Sequence, residues 1–291
     1  MFKMKPTAVH LHLHYVNRWP EMRRYLQHLG GHPYHLYVTL TKENACLEKE
    51  IKDFHPHSTI WCTENRGYDI GPFVDFLHKI DLSQYDLVLK IHAKNKYGRQ
   101  KTWINDRYIT KRSWVNLLFT ALLGSKRIWK KNVNAFLQDP QLGMLSSQYL
   151  ITSEKICSEY LRPAIDQEMQ KMGYQTPQNI TFVAGTMFVA RAKLLEKIKK
   201  YFSISDFAPT DVSVQDGTLA HIIERVLGCL IAVQGYEIKG FDKNWWVDYV
   251  PSMRQVARSF YSNDITRRNH HIIKVCKIPV YYKNLNKQKR G

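Results

Sequence analysis

The sequence predicts an α/β protein built on a mostly parallel, doubly wound central sheet. Two observations carry that expectation. Strand-length apolar runs alternate with amphipathic, helix-length spacers over the first ninety residues, and two of those runs end in clusters of polar residues. In such sheets ligands collect at the carboxyl edge, where strands hand over to helices.

In chain order, residues 8–16 alternate apolar and histidine side chains with period two, a strand pattern that puts His10, His12 and His14 on one face. Three histidines on one face can ligate a metal, but a ligand set also needs a carboxylate behind it, so a plain strand face is the preferred reading. A helix fits 18–29, a second strand 33–40, and a helix 42–54 with Leu47, Ile51 and Phe54 on one side. A strand at 58–63, a helix at 71–80 and a strand at 86–92 complete a β-α-β-α-β-α-β series. Farther on, Trp103 to Gly124 reads as helical, as does 126–137, and the Asp139-Pro140 turn precedes a strand at LGMLSS. The polar stretch 150–179 reads as a mobile segment, a candidate lid. TFVAGTMFVAR (181–191) is a strand interrupted by Gly185, where a bulge, a close backbone approach or simple packing ease would each suit glycine. A helix starts near Ala192, and 216–228 forms an amphipathic helix with Asp216 at its start.

The 291 residues carry a formal net charge of +18, with 44% hydrophobic and 23% charged residues. Such a chain buries a substantial core, and its positive excess favours a polyanionic partner: nucleic acid, an anionic membrane surface or a phosphorylated substrate. The five cysteines (Cys46, Cys62, Cys157, Cys229, Cys276) are scattered without a CxxC pair and are expected to be reduced core thiols of a cytoplasmic protein. No run approaches the roughly 20 apolar residues of a membrane span. From Arg267 to Gly291 eight Lys or Arg residues and no acid are interleaved with Ile, Val and Tyr. That mixture suits an anionic membrane surface; the alternative is a solvated tail after one last edge strand.

The chemistry is concentrated at the two strand ends. Glu64, Asn65, Arg66, Gly67 and Asp69 form the first cluster; His92, Lys94, Asn95 and Lys96 form the second. A carboxylate and several cations brought to one edge suit an anionic, hydrogen-bonding ligand such as a nucleoside diphosphate. Turn chemistry alone would also account for Asn, Arg, Gly and Asp at the first position.

NRGYDIGPF, LKIHAKN, a helix ending in LLGS, DPQLGM, FVAGTMFVAR and QDGTLAHIIER occur in that order. Together they resemble the rhamnan synthesis F family of bacterial polysaccharide glycosyltransferases over about residues 30 to 240. The resemblance implies a GT-A-like (Rossmann-type), mostly parallel sheet flanked by helices over residues 1–250, with 251–291 as a basic C-terminal extension. It implies a nucleotide-sugar-dependent hexosyltransferase of cell-surface polysaccharide or lipopolysaccharide assembly, with dTDP-L-rhamnose as one candidate donor. Where a typical GT-A enzyme has an Asp-x-Asp holding a divalent metal, this strand ends in His92-Ala93-Lys94. An imidazole and an ammonium can neutralise a leaving diphosphate directly, so transfer without a metal or other cofactor is expected. The competing expectation is that His92 or Asp69 binds a cation with other ligands.

On the same resemblance, Thr39, Asn65, Arg66 and Asp69 would form the base and ribose pocket. His92, Lys94 and Lys96 would face the diphosphate, and Gly185 and Thr186 the donor sugar. Asp216 would be the base of an inverting transfer, although as a residue alone it reads as a helix cap. Glu224 and Arg225 read as a structural pair. The expected acceptor is a lipid-linked or lipopolysaccharide glycan, and the expected location is cytoplasmic and peripheral on the inner face of the cytoplasmic membrane, held by the basic C-terminus. Two other classes remain open: a glycan-binding accessory protein without catalysis, and a nucleic-acid-binding protein. The spread of the cations and the lack of RNP, KH or zinc patterns count against nucleic acid.

Overall fold

The computed structural model describes residues 4–94, 101–104, 107–153, 160–211, 213, 216–243, 261–265, 270–276 and 278–284. The chain divides into two compact units, Met1–Asn105 with Thr110–Asp242, and Asp106–Ile109 with Lys243–Gly291. The expected boundary after residue 250 falls within 244–260, outside the described residues.

In the first unit the strands β1 (Thr7–Leu13), β2 (Tyr34–Leu40), β3 (Thr59–Cys62) and β4 (Leu87–His92) alternate with helices α1 (Trp19–Leu26), α2 (Ala45–Phe54) and α3 (Ile70–Lys79). β1 pairs in parallel with both β2 and β4, and β2 with β3. Every residue of β1 and β4 is buried, so these central strands are covered on both faces, the histidines and the lysine that interrupt their apolar runs included. Ala8 and Val88 join one core layer with Phe73, Phe76 and Phe188, while Val9 and Leu89, on the opposite face, are equally buried.

The other side of the sheet is completed by β7 (Leu142–Leu145), β10 (Phe188–Arg191) and β11 (Glu237–Lys239), in the order β11-β7-β10-β4-β1-β2-β3. β10 is antiparallel to both β4 and β7; the remaining pairs are parallel. This is the mostly parallel, helix-flanked sheet expected above. Its further helices are α4 (Lys111–Leu123), α5 (Lys126–Gln138), α6 (Arg162–Lys171), α7 (Glu196–Tyr201) and α8 (Leu219–Val233). The short strands β8 (Ile151–Thr152) and β9 (Phe182–Val183) pair with each other.

Several expectations are corrected. The stretch from Trp103 is not one helix: β5 (Lys101–Ile104) and β6 (Arg107–Thr110) precede α4. Their Thr, Trp, Tyr and Ile content favours extended backbone, and Thr110 starts α4 by accepting the Ser113 N–H at 3.1 Å. Gly124 does end that helix. The segment 150–179, read as a polar candidate lid, contains β8 and α6, and α6 buries Ile165 and Met169, four residues apart; 154–159 lie outside the described residues. Asp216 does not begin α8, whose N-cap is Thr218. Nor are the thiols core residues in the main: Cys46, Cys62 and Cys276 are exposed and Cys229 is buried. In the second unit, β12 (Tyr261–Ile265), β13 (His270–Val275) and β14 (Ile278–Asn284) form an antiparallel sheet.

Helix α8 lies directly on β9 and the residue before it. A Cβ at Gly228 would stand 1.9 Å from the Thr181 carbonyl oxygen and 2.9 Å from Phe182 Cα. By helix propensity alone Gly228→Ala would stabilise by about 1 kcal/mol. Because the clash is with backbone, the expected outcome has the opposite sign, a loss of about 1–3 kcal/mol read as a lower urea midpoint.

Candidate active site

The strand register brings a polar row to the carboxyl end of the sheet. Thr39 on β2 lies beside His12 on β1, which lies beside His92 on β4; one step back, His10 lies beside Lys90. The Thr39 hydroxyl is hydrogen-bonded to His10 Nε2 and His12 Nδ1, both at 3.0 Å. Burial holds the His10 imidazole well below its usual range and brings His12 to about 3, so both rings are neutral.

Asp69 occupies the N-cap position of α3, yet its side chain does not cap the helix. It turns instead to Lys90, whose ammonium lies 2.5 Å from Asp69 Oδ2. The same ammonium donates to the Thr186 carbonyl at 2.9 Å and to its hydroxyl at 3.2 Å, and that hydroxyl donates to Asp69. Lys90 is 1% exposed, and its ammonium stands over the Phe73 ring. Burial pushes the Asp69 carboxyl up, but His92, Lys90 and Lys94 outweigh it and hold the group well below the carboxylate range. The Lys90 and Lys94 ammoniums are lowered by burial, with Asp69 acting against it.

His92 is 3% exposed, and neither ring nitrogen has a hydrogen-bond partner. Its Nδ1 stands 3.5 Å from Asp69 Oδ2. Burial holds the imidazole well below its usual range despite the Asp69 charge. A buried imidazole with two unpartnered nitrogens is costly and points to a polar ligand at this edge.

Between β9 and β10 the backbone turns at Gly185 and Thr186, with φ of +96° and +50°. The Gly185 N–H donates to Glu224 Oε1 of α8 at 2.8 Å. Trp114 of α4 closes the other side, donating its indole N–H to the Ala184 carbonyl at 3.4 Å and carrying the Lys94 ammonium 4.3 Å from its ring centre.

The loop from β3 to α3 is stitched to the segment 207–211. Gly67 N–H donates to Ala208 O, Thr210 N–H to Asn65 O, and Arg66 Nη1 to Phe207 O at 2.8 Å. Arg66 also pairs with Glu64 at 2.7 Å. Tyr68 continues the seam, its hydroxyl donating to Asp211 O at 2.5 Å and its ring lying 5.3 Å from that of His221. Just beyond, Asp216 Oδ2 pairs with the buried Arg225 at 3.1 Å, and its Oδ1 accepts the Gly217 N–H. Since Thr218 caps α8, with its hydroxyl 2.7 Å from His221 Nδ1, the cap reading of Asp216 falls away.

The structure therefore brings Asp69, His92, Gly185 and Thr186 together, with Lys94 against Trp114 beside them. Thr39 is buried completely and its hydroxyl is engaged, so it lies beneath this cluster and orients His12. Arg66 and Asn65 belong to the seam with 207–211, while Lys96 lies outside the described residues. Sequence reasoning missed Lys90, Trp114 and the Glu224 contact. Lys90 had a readable signal: it stands two residues before His92 in a strand, hence on the same face.

A metal of the kind a GT-A layout implies would meet no pair of carboxylates at this strand end. The strand end presents His92 and Lys94, and the carboxylate facing it already holds an ammonium. Among the described residues no three His, Cys, Asp or Glu side chains are grouped to hold a metal ion.

The family profile of rhamnan synthesis protein F matches residues 1–236, which include every residue of this cluster. The chain belongs to that family. The uncharacterized protein WxcX of Xanthomonas campestris pv. campestris (strain B100) is 31% identical over 219 residues, 74% of this chain and 28% of the relative. The chain thus spans little more than a quarter of that relative's length. Among solved structures, Staphylococcus aureus TarS 1-349 is 12% identical, with 77% of this chain and 55% of that chain covered and a TM-score of 0.39. Glucosyl-3-phosphoglycerate synthase from Mycobacterium tuberculosis, in complex with phosphoglyceric acid, is 10% identical, with 98% and 92% covered and a TM-score of 0.36. At these values neither likeness bears on the chemistry of the site.

Removing the charge of Asp69 strands a buried ammonium. Asp69→Asn is expected to cost about 3–5 kcal/mol, while Asp69→Asn with Lys90→Met costs less than the first change alone, read as a coupling in a denaturation cycle. In the wild type the Asp69 contribution is complete above its unfolded pKa of about 3.9 and fades as pH falls through the lower folded value.

Proposed function

We propose that this family member is a glycosyltransferase domain that moves a sugar from a nucleotide-diphosphate donor to a polysaccharide or lipopolysaccharide acceptor. The observation that carries the reading is His92, buried with both nitrogens unpartnered at an edge that also gathers Lys90 and Lys94. Such an edge complements a diphosphate, whose oxygens can accept from His92 and Lys94, the three protons of Lys90 being already given to Asp69 and Thr186. His92 and Lys94 would meet the departing diphosphate, and Lys96, just beyond, is assigned to the same role.

In the proposed step the acceptor hydroxyl attacks the anomeric carbon from the side opposite the diphosphate. The new carbon–oxygen bond forms as the bond to the diphosphate oxygen breaks with its electron pair, and Asp216 takes the hydroxyl proton, giving inversion. Arg225 supports this by fixing Asp216 Oδ2 at 3.1 Å. Developing charge on the leaving group falls to His92 and Lys94, so transfer proceeds without a divalent metal. The donor sugar, with rhamnose as the candidate, lies by Gly185 and Thr186, and Asn65 and Asp69 line the nucleoside side.

We further propose that the C-terminal unit holds the enzyme on the cytoplasmic face of an anionic membrane, where lipid-linked acceptors reside. Its described strands expose Ile278, Val280 and Tyr282 at 65%, 60% and 57%, with Lys274 exposed on the neighbouring strand. No helix among the described residues is long and apolar enough to cross a membrane.

Calorimetric titration with UDP, dTDP, GDP and CMP, each in EDTA and with magnesium or manganese, tests the site. One nucleotide is expected to bind saturably in EDTA, and Lys94→Ala to abolish it; binding only with metal would overturn the metal-free mechanism, and no binding at all the transferase reading. Asp216→Asn is expected to lower kcat by about 10²–10⁴ and leave nucleotide affinity within about threefold. A glycan-binding accessory protein would have no turnover to lose.

A further inference from the structure

The turn at Gly185 and Thr186 is held from two sides. A positive φ is costly for a β-branched residue such as Thr186 and persists only where the surroundings impose it. Trp114 forms one wall: a Cβ at position 185 would lie 2.8 Å from its Cζ2. Glu224 forms the other, taking the Gly185 N–H at 2.8 Å. Between them they aim both the carbonyl and the hydroxyl of Thr186 at the Lys90 ammonium.

Glu224 has little else to do. Helix α8 is capped by Thr218 without it, and Arg225 lies 3.4 Å from Glu224 Oε2 but 3.1 Å from Asp216 and 2.9 Å from the His221 carbonyl. We infer that Glu224 is a positioning residue: its carboxylate fixes the Gly185–Thr186 turn, and through it the oxygens that orient Lys90 and Asp69. That this turn borders a donor sugar rests on the transferase reading; the hold on the turn does not.

The charged groups facing Glu224 are Arg225 on its own helix, Asp69 at the start of α3, and Lys90 and Lys94 on and just after β4. Burial raises the carboxyl to about 6, against Arg225 and the Gly185 N–H. As pH falls through that value the carboxylate gains a proton and becomes a weaker acceptor for the amide. The first test uses the unliganded protein: the Gly185 amide resonance is expected to titrate with a midpoint near 6 in the wild type and to stay flat in Glu224→Gln. The second uses donor kinetics at neutral pH. Glu224→Ala is expected to raise the KM for the nucleotide sugar about tenfold with kcat within about threefold, whereas Glu224→Gln, which keeps an acceptor oxygen, stays near the wild type.

A wild-type Gly185 resonance that follows no carboxyl titration at any pH at which the protein stays folded would overturn the inference and needs no variant. So would a folded Glu224→Ala protein with unchanged Gly185 resonance and donor KM. If Gly185 titrates as expected while the wild type binds no nucleotide, the hold on the turn stands and the transferase reading falls.

Discussion

A single buried ion pair joins the parts of this site. Lys90 extends from the middle of the central strand β4 into a layer otherwise filled by Phe73, Phe76 and Phe188, where an unpaired ammonium would be untenable. Asp69 at the head of α3 and Thr186 in the turn before β10 supply its partners. Three elements far apart in sequence are thereby set in one relation, and the site residues on them follow. For stability alone, apolar residues of similar volume would serve as well, since the desolvation of both ions offsets much of their attraction. What the pair adds is direction: a hydrocarbon contact tolerates sliding, whereas an ammonium with three oxygen neighbours does not.

The pair also shapes the electrostatics around it. Asp69 is the carboxylate nearest the strand end, and its charge is answered by Lys90, with His92 and Lys94 close by. Asp216 is balanced by Arg225. With Glu224 counted against Lys94, the charges here balance, so what the edge offers a polyanion is hydrogen-bond donors in a place shielded from water. The general excess of +18 over the whole chain reinforces this at long range but does not locate it.

Much of the sheet was legible in the sequence because central parallel strands leave an unmistakable trace: short apolar runs, each followed by a helix-length spacer. Strand ends were legible too, since NRGYD and IHAKN are polar interruptions of apolar runs. Lys90 was hidden by its setting inside DLVLKIH, where one lysine reads as a solvent-facing position of a half-buried strand. Its burial depends on α3 and β10 covering that face, which no local pattern states. Glu224 was read with its neighbour Arg225 because sequence proximity suggests a pair, whereas the side chain's main contact is an amide 39 residues away. Asp216 looked like a cap because Asp favours caps; the true cap, Thr218, lies two residues later and is equally suited. The strands before α4 were missed for a related reason, their aromatic and aliphatic spacing fitting a helix face as well as a strand.

The antiparallel course of β10 has a bearing on how the chain acquires this arrangement. In a parallel strand the residues at the carboxyl edge come last; in β10 they come first, so the turn at Thr186 arrives at the edge before the strand that follows it. The contacts of Lys90 with Thr186 span 96 residues, whereas those with Asp69 span 21. Asp69 alone supplies one partner for the ammonium, and it is β10, beside β4, that covers the Lys90 face and brings Thr186, so the closing of the sheet and the completion of the site depend on the same strand pairing.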